Sequence, residues 1–270
     1  MSGRERIVFD RVSKEFPTAH GRLVAVEDFS LTVRDGEFIS LVGPSGCGKT
    51  TLLSMLAGFV QPTAGAVSLD GKPIDGPGPD RGVMFQDYGV FPWLTVRDNI
   101  GFGLSLKANR VPPAERDAIV SRYLDLMGLR GFEDAFPKTL SGGMKQRVAL
   151  ARAYAVRSDF LLMDEPFGAL DAQTRTAMQD LLLHVLETEG KTVLFITHSV
   201  EEALYLSSRV VVITARPSRI RQVIDVPFPY PRREELHRTR QFAELEYELR
   251  ELVMREYVDQ ERQRDVSPNA

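Results

Sequence analysis

Gly43-Pro44-Ser45-Gly46-Cys47-Gly48-Lys49-Thr50 stands between an apolar run, Phe38-Ile39-Ser40-Leu41-Val42, and a helix-forming stretch from about Lys49 to Ala57. The glycines let the backbone curl until several N–H groups face one anion. The helix that follows adds the positive end of its dipole at the same point. This order reads as a P-loop, with Lys49 reaching the β- and γ-phosphates and the Thr50 hydroxyl available to Mg²⁺. Gly58 stands where the helix should end. A helix start can lower a thiol pKa, but Cys47 reads better as a small filler residue.

Outward from the loop, the chain alternates strand and helix patterns. Upstream, Ile7 to Val33 mixes β-type residues with turn signals, as in an antiparallel sheet. Downstream, apolar runs at Phe160–Met163, Thr192–Ile196 and Arg209–Ile213 read as buried strands. A helix carrying Met178, Leu181, Leu182, Val185 and Leu186 separates the first two. A short helix after His198 separates the second and third. Buried strands alternating with helices predict a parallel sheet covered on both faces. Between about residues 87 and 157 the pattern becomes helical. Pro112-Pro113-Ala114-Glu115 reads as a helix start, Ile119, Val120, Tyr123, Leu124 and Met127 as one face, and Gly128 as its end. From Pro217 to Pro231 the chain is Pro-rich and extended. Phe242, Leu245, Leu249, Leu252 and Val253 then mark one amphipathic helix, with fraying expected from about Gln260.

Bulk properties narrow the function classes. The chain has 270 residues, 43% of them hydrophobic, enough for one large α/β domain with a smaller satellite. Its formal charge of −3 suggests no attraction to nucleic acid. The single cysteine excludes an intrachain disulfide and fits a reducing, cytosolic setting. Charges interrupt the first residues, so no signal segment is expected. No apolar run approaches the roughly 18–20 residues that cross a bilayer.

Phe160-Leu161-Leu162-Met163-Asp164-Glu165 delivers two carboxylates at the end of an apolar strand. With a phosphate loop upstream, that placement suits a metal–phosphate site. Asp164 is the candidate Mg²⁺ ligand. Glu165 is the candidate general base for an attacking water.

Leu140-Ser141-Gly142-Gly143-Met144-Lys145-Gln146-Arg147 closely resembles the signature segment of the ABC ATPase family. Other segments resemble that family in its order. Gln86 matches the Q-loop glutamine, Ala169-Leu170-Asp171 the D-loop, and Thr197-His198 the switch histidine. Phe16 matches the aromatic that stacks on adenine, although Phe9 and nearby apolar residues compete with it for a core role. The resemblance covers about residues 7–215. It implies a P-loop NTPase (RecA-like) core with an N-terminal antiparallel β-subdomain and a helical signature-motif subdomain. The expected ATPase domain is 5–215, and residues 216–270 form an extension. ATP would contact Phe16, residues 43–51 (Thr51 included), and Ser141, Gly142, Gly143 and Met144. Lys49, Gln86, Glu165 and His198 would act in hydrolysis, with Thr50, Gln86 and Asp164 as Mg²⁺ ligands.

Ser141 and Gly142-Gly143 open a helix, so hydroxyl, N–H groups and helix dipole make a second anion site. Two γ-phosphate sites in one chain imply a head-to-tail homodimer. After Gln86, the stretch Tyr88-Gly89-Val90-Phe91-Pro92-Trp93-Leu94-Thr95-Val96 is aromatic and apolar. It reads either as packing for the helical insert or as a partner surface. In importers of the family, this position grips a cytoplasmic helix of the permease. The motifs and the tail from Ala215 to Ile220 most resemble the nitrate/sulfonate/taurine import group. That implies a peripheral subunit at the cytoplasmic face of the (inner) membrane, with a separate permease and a solute-binding protein acting indirectly. The alternative is a soluble ABC ATPase, for example in iron–sulfur assembly.

Overall fold

The computed structural model describes residues 3–19, 21–86 and 89–266. In chain order the main elements are β1 (Glu5–Thr18), β2 (Gly21–Arg34), β3 (Phe38–Val42), α1 (Lys49–Ala57), β4 (Ala64–Leu69), β5 (Lys72–Pro73) and β6 (Arg81–Met84). Then follow α2 (Val96–Ser105), α3 (Pro113–Leu126), α4 (Gly142–Ala155), β7 (Phe160–Asp164) and α5 (Ala172–Glu189). The chain ends with β8 (Thr192–Ile196), α6 (Val200–Leu206), β9 (Arg209–Ile213), β10 (Ile220–Asp225) and α7 (Arg240–Val266). They gather into two compact units. One joins Met1–Gly78 with Thr192–Ala270, and the other is Pro79–Lys191.

In the first unit, β2-β1-β4-β5 make an antiparallel sheet. Its cause is visible in β2, where Phe29, Leu31 and Val33 are buried and the intervening side chains are not, the two-residue period of a half-buried strand. Phe9 meets Phe29 edge to face, with ring centroids 5.5 Å apart, and both are in the core. Beside this sheet, β10, β9, β3 and β8 lie in that order. β3 pairs in parallel with β8 and β9, and β3 and β8 are buried along their whole length, as strands covered on both faces must be. The extended segment after Pro217 adds what the alternation pattern did not indicate, since β10 pairs antiparallel with β9. The link from Ile213 to Ile220 is too short for a parallel crossover, so the chain reverses.

Arg232 fastens the segment after β10. Its buried guanidinium donates to the carbonyls of Leu204, Tyr205 and Ser207 at the end of α6, and to Phe228 O. Helix C-termini leave such carbonyls without intrahelical partners. α7 then buries Phe242, Leu249 and Val253. The expected fraying from Gln260 is corrected: α7 continues to Val266, and Gln260 is only 8% exposed. Glu256 and Gln260 extend the buried face with polar side chains, which an apolar pattern cannot register.

In the second unit, β6 and β7 pair in parallel, Met84 beside Met163. α2 packs on α3 and α4, and α4 on β6. The α3 face falls as its periodicity indicates, with Ile119, Val120, Tyr123, Leu124 and Met127 all buried. On α5 the buried face is rotated. Met178, Leu182 and Val185 are inside, but Leu183 replaces Leu181 and Leu186, which are half-buried.

Phe29 is fully buried against Phe9. Phe29→Ala should cost about 3–5 kcal/mol in urea unfolding of the full chain. A loss below about 1 kcal/mol would show that the hairpin does not depend on this pair.

Candidate functional site

The first unit holds the P-loop. β3 delivers residues 43–48 to the N-terminus of α1, whose cap residue is Gly48. Gly48 has φ +117°, and a Cβ there would lie 2.3 Å from Ser218 Oγ and 2.8 Å from Ala25 O. No other residue type fits that conformation and that space. Pro44, Cys47 and Lys49 are buried, whereas Ser45, Gly46 and Thr50 are exposed and Thr51 is half-buried. Lys49 is 5% exposed, and its Nζ donates to Gly43 O at 2.7 Å and Pro44 O at 2.8 Å. Burial pushes the Cys47 thiol above its ordinary pKa, against the opposing pull of Lys49. The residue is therefore a filler here, as its size suggests.

β8 ends beside β3, with Leu41 opposite Ile196 and Thr197 N–H donating to Leu41 O at 3.3 Å. His198 therefore leaves the sheet at the same edge as the P-loop, and it is exposed. Thr197 fixes the turn: its hydroxyl donates to Glu202 Oε2 at 2.6 Å and accepts from Ser199 N–H at 3.0 Å. Phe16 lies near the end of β1, half-buried, with Lys14 Nζ 5.1 Å from its ring centre. Phe9 takes the core position, and Phe16 stays partly exposed.

The second unit holds the carboxylates. Asp164 ends β7, and Gln86 follows β6 on the same edge, where the strands are in register. Gln86 is exposed and Asp164 and Glu165 are half-buried. Glu165 has φ +45°, a left-handed conformation that costs a non-glycine residue about 1–3 kcal/mol. Such strain persists where the surroundings over-determine it. Gln146, fully buried on α4, donates to Pro166 O, and Gly168 N–H closes the turn onto Glu165 O.

Ser141 caps α4, its Oγ accepting from Met144 N–H at 3.3 Å. A Cβ on Gly143 would lie 2.7 Å from Thr174 Cγ2, so the signature segment touches the start of α5. Asp171 caps that helix, accepting from Thr174 N–H at 2.9 Å. This bond holds the Asp171 carboxyl below the ordinary aspartate value.

Of the aromatic stretch after Gln86, Asp87 and Tyr88 lie outside the described residues. Phe91 packs on Phe102 at 4.6 Å and under the Arg152 guanidinium at 4.8 Å. Trp93 stacks on Phe91 at 5.4 Å yet is 69% exposed. Asn99 shapes this loop from inside, bonding Phe91 N–H and the carbonyls of Phe91, Leu94 and Thr95. The sequence assigns no separate role to Asn99 or, inside the signature segment, to Gln146: each is a polar residue on a helix whose partners are loop backbone, which periodicity does not mark.

A family model described as ABC transporter matches residues 26–168. The chain is similar to the nitrate import ATP-binding protein NrtD of Synechococcus elongatus, 47% identical over 251 residues and covering 92% of each chain. It is similar to the bicarbonate transport ATP-binding protein CmpC of the same organism, 48% identical over 84% of this chain and 34% of that protein. Among solved structures it resembles the ATP-binding cassette MJ0796, a dimer in a post-hydrolysis state bound to ADP and Pi. The TM-score is 0.72 at 28% identity, covering 83% of this chain and all of that one.

Two outcomes test the local geometry. Glu165→Ala keeps the left-handed strain and Glu165→Gly relieves it, so the glycine variant should be the more stable by about 1 kcal/mol in chemical denaturation. An alanine variant as stable or more so would remove the strain argument. Cys47, buried with a raised pKa, should react with maleimide at pH 8 at least about tenfold more slowly than a free thiol, until denaturant is added. Labelling at the free-thiol rate would contradict that burial.

Proposed function

This chain belongs to the ABC transporter family, and from that premise we propose that it energises an importer for a small solute of the nitrate, sulfonate, taurine or bicarbonate class. The chain is an ATP-hydrolysing ABC subunit with the ABC ATPase fold. The observation that carries the importer reading is the similarity to NrtD, which spans 92% of both chains. Among the described residues no helix is long and apolar enough to cross a membrane. The path for the solute is then a separate permease, with this subunit peripheral at the cytoplasmic face of the membrane and a solute-binding protein acting through the permease. The relatives named above are transport proteins, so a soluble iron–sulfur assembly ATPase is not retained.

The residue roles follow from chemistry. Residues 43–51 cradle the nucleotide phosphates through backbone N–H groups and the α1 N-terminus, and Lys49 supplies a cation. Phe16 is the aromatic that stacks on the adenine. Thr50, Gln86 and Asp164 present hydroxyl, amide and carboxylate oxygens, a donor set that suits Mg²⁺, which takes few protein ligands beside phosphates. When bound, Mg²⁺ neutralises charge on the transferring phosphoryl group. Glu165 accepts a proton from the attacking water, which is worth about 10²–10⁴ in rate. His198 senses the γ-phosphate.

Ser141, Gly142, Gly143 and Met144 form a second anion site, which serves the nucleotide held by a second copy of the chain. Asp171 lies at that dimer interface near the partner's P-loop. A head-to-tail homodimer gives each P-loop a signature segment, and the similarity to a dimeric ADP-bound cassette supports it. Closure must favour ATP over ADP, because a ligand shifts such an equilibrium only through differential affinity. Trp93, exposed on the platform of Phe91, Phe102 and Arg152, is the contact for a permease helix.

Loss of the gene should abolish ATP-dependent uptake of one such solute. The wild-type gene should restore it, and Glu165→Gln should not. Trp93→Ala should bind ATP normally in vitro but fail to co-purify with the permease or to restore uptake. Uptake that survives gene loss, or full complementation by Trp93→Ala, would overturn the importer reading or the docking site respectively.

A further inference from the structure

Three consecutive carbonyls of the P-loop accept hydrogen bonds from side chains far along the chain. Gln260 Nε2 donates to Ser45 O at 3.0 Å. Arg216 donates to Gly46 O through Nε at 3.3 Å and Nη2 at 3.1 Å. Ser218 Oγ donates to Cys47 O. All three donors belong to the C-terminal extension, beyond the segment that matches the family model. They are themselves anchored. Ser218 is fully buried, its N–H donating to Ala25 O at 2.9 Å and its O accepting from Glu27 N–H at 3.1 Å. Gln260 sits on the buried face of α7, one turn after Glu256. Glu256 accepts from Ala215 N–H at 3.2 Å and pairs with Arg221 at 3.4 Å.

A trans peptide directs its C=O and its N–H to opposite sides. Donors that hold the carbonyls of Ser45 and Cys47 therefore also aim the N–H groups of Gly46 and Gly48. Both glycines have positive φ, +73° and +117°, and glycine-rich backbone has many conformations to lose. Fixing those peptides in advance lowers what phosphate binding must spend on ordering them.

We propose that the C-terminal extension braces the phosphate loop, with Gln260 and Arg216 as positioning residues that set affinity for ATP. The inference rests on the reading of residues 43–51 as the nucleotide cradle. None of the bracing residues is among those assigned to the water or the γ-phosphate, so the brace acts on binding and not on the bond-breaking step. α7 is then a functional part of the nucleotide site, reaching it from the end of the chain.

The test is MgATP binding by calorimetry, with steady-state KM and kcat, on the full-length chain. One lost neutral hydrogen bond corresponds to about a fivefold change in affinity. Gln260→Ala should weaken ATP binding about fivefold. Gln260→Glu, which sets a carboxylate against Ser45 O, should weaken it further. Gln260→Lys keeps a donor and should stay within about twofold of wild type. Throughout, kcat should change less than about twofold, whereas general loosening of the fold would lower kcat and Tm together and would not be rescued by lysine. Wild-type affinity in Gln260→Ala, or a loss that appears in kcat alone, would overturn the brace. Gln260→Ala only truncates a side chain, so it carries the test if Gln260→Glu does not fold. Lys49→Ala separates the two levels. If it loses ATP while the Gln260 variants keep it, the brace fails alone; if it binds ATP as wild type does, the cradle reading and the brace fall together.

Discussion

A peptide plane cannot turn its N–H and its C=O to the same side, and the P-loop must turn several N–H groups toward one anion. Its carbonyls then face the protein, where each needs a donor. That constraint reaches far from residues 43–50. It explains why Gly48 has φ +117° with Ser218 Oγ where a Cβ would stand. It explains why Ser218 is fixed to β2 on both sides of its backbone. It also accounts for a helix end some 200 residues downstream being folded against Ser45. The first unit is assembled from the two ends of the chain, and the underside of this loop is one place where they are joined.

The second unit meets a related demand in a different way. At the end of β7 the backbone beneath the carboxylate is what is fixed. Glu165 lies in the left-handed region, and the turn after it is held by the buried amide of Gln146 and by Gly168. On the proposed reading of Glu165 as the base, a strained residue supported from a neighbouring helix fits the demand for a fixed backbone beneath the carboxylate. Asp171 and Ser141 carry the same logic to helix starts, each satisfying backbone N–H groups that the helix itself cannot.

Legibility in the sequence followed the range of the interaction concerned. Strands β3, β8 and β9 and helix α1 have the boundaries that apolar runs and capping glycines indicate, because those signals are local. The motif residues fall at strand ends and helix caps for the same reason. What escaped was polar and, apart from Asn99, reached across many residues of the chain. Asn99, Gln146, Arg232 and Gln260 are buried polar side chains whose partners are loop or helix-end carbonyls. Nothing in their neighbours' spacing announces them. In the sequence Gln260 looks like the start of a frayed end, because an apolar stripe that gives way to Glu256 and Gln260 resembles a helix losing its core. It is a helix exchanging an apolar face for a hydrogen-bonded one.

That exchange bears on how nucleotide affinity is distributed. A motif defines which atoms can contact phosphate, but glycine at positions 46 and 48 makes the same motif easy to deform. Lys49 holds the carbonyls of Gly43 and Pro44 from within the motif, but those of residues 45–47 are held by groups the motif does not contain. Here they are an arginine and a serine just after β9 and a glutamine in the last helix. A cassette that ended near β9 would keep every motif residue and lose the donor on Ser45. Two chains with identical phosphate loops can therefore differ in ATP affinity through their tails alone, and the tail becomes a place where affinity is tuned without touching the residues that hydrolyse ATP.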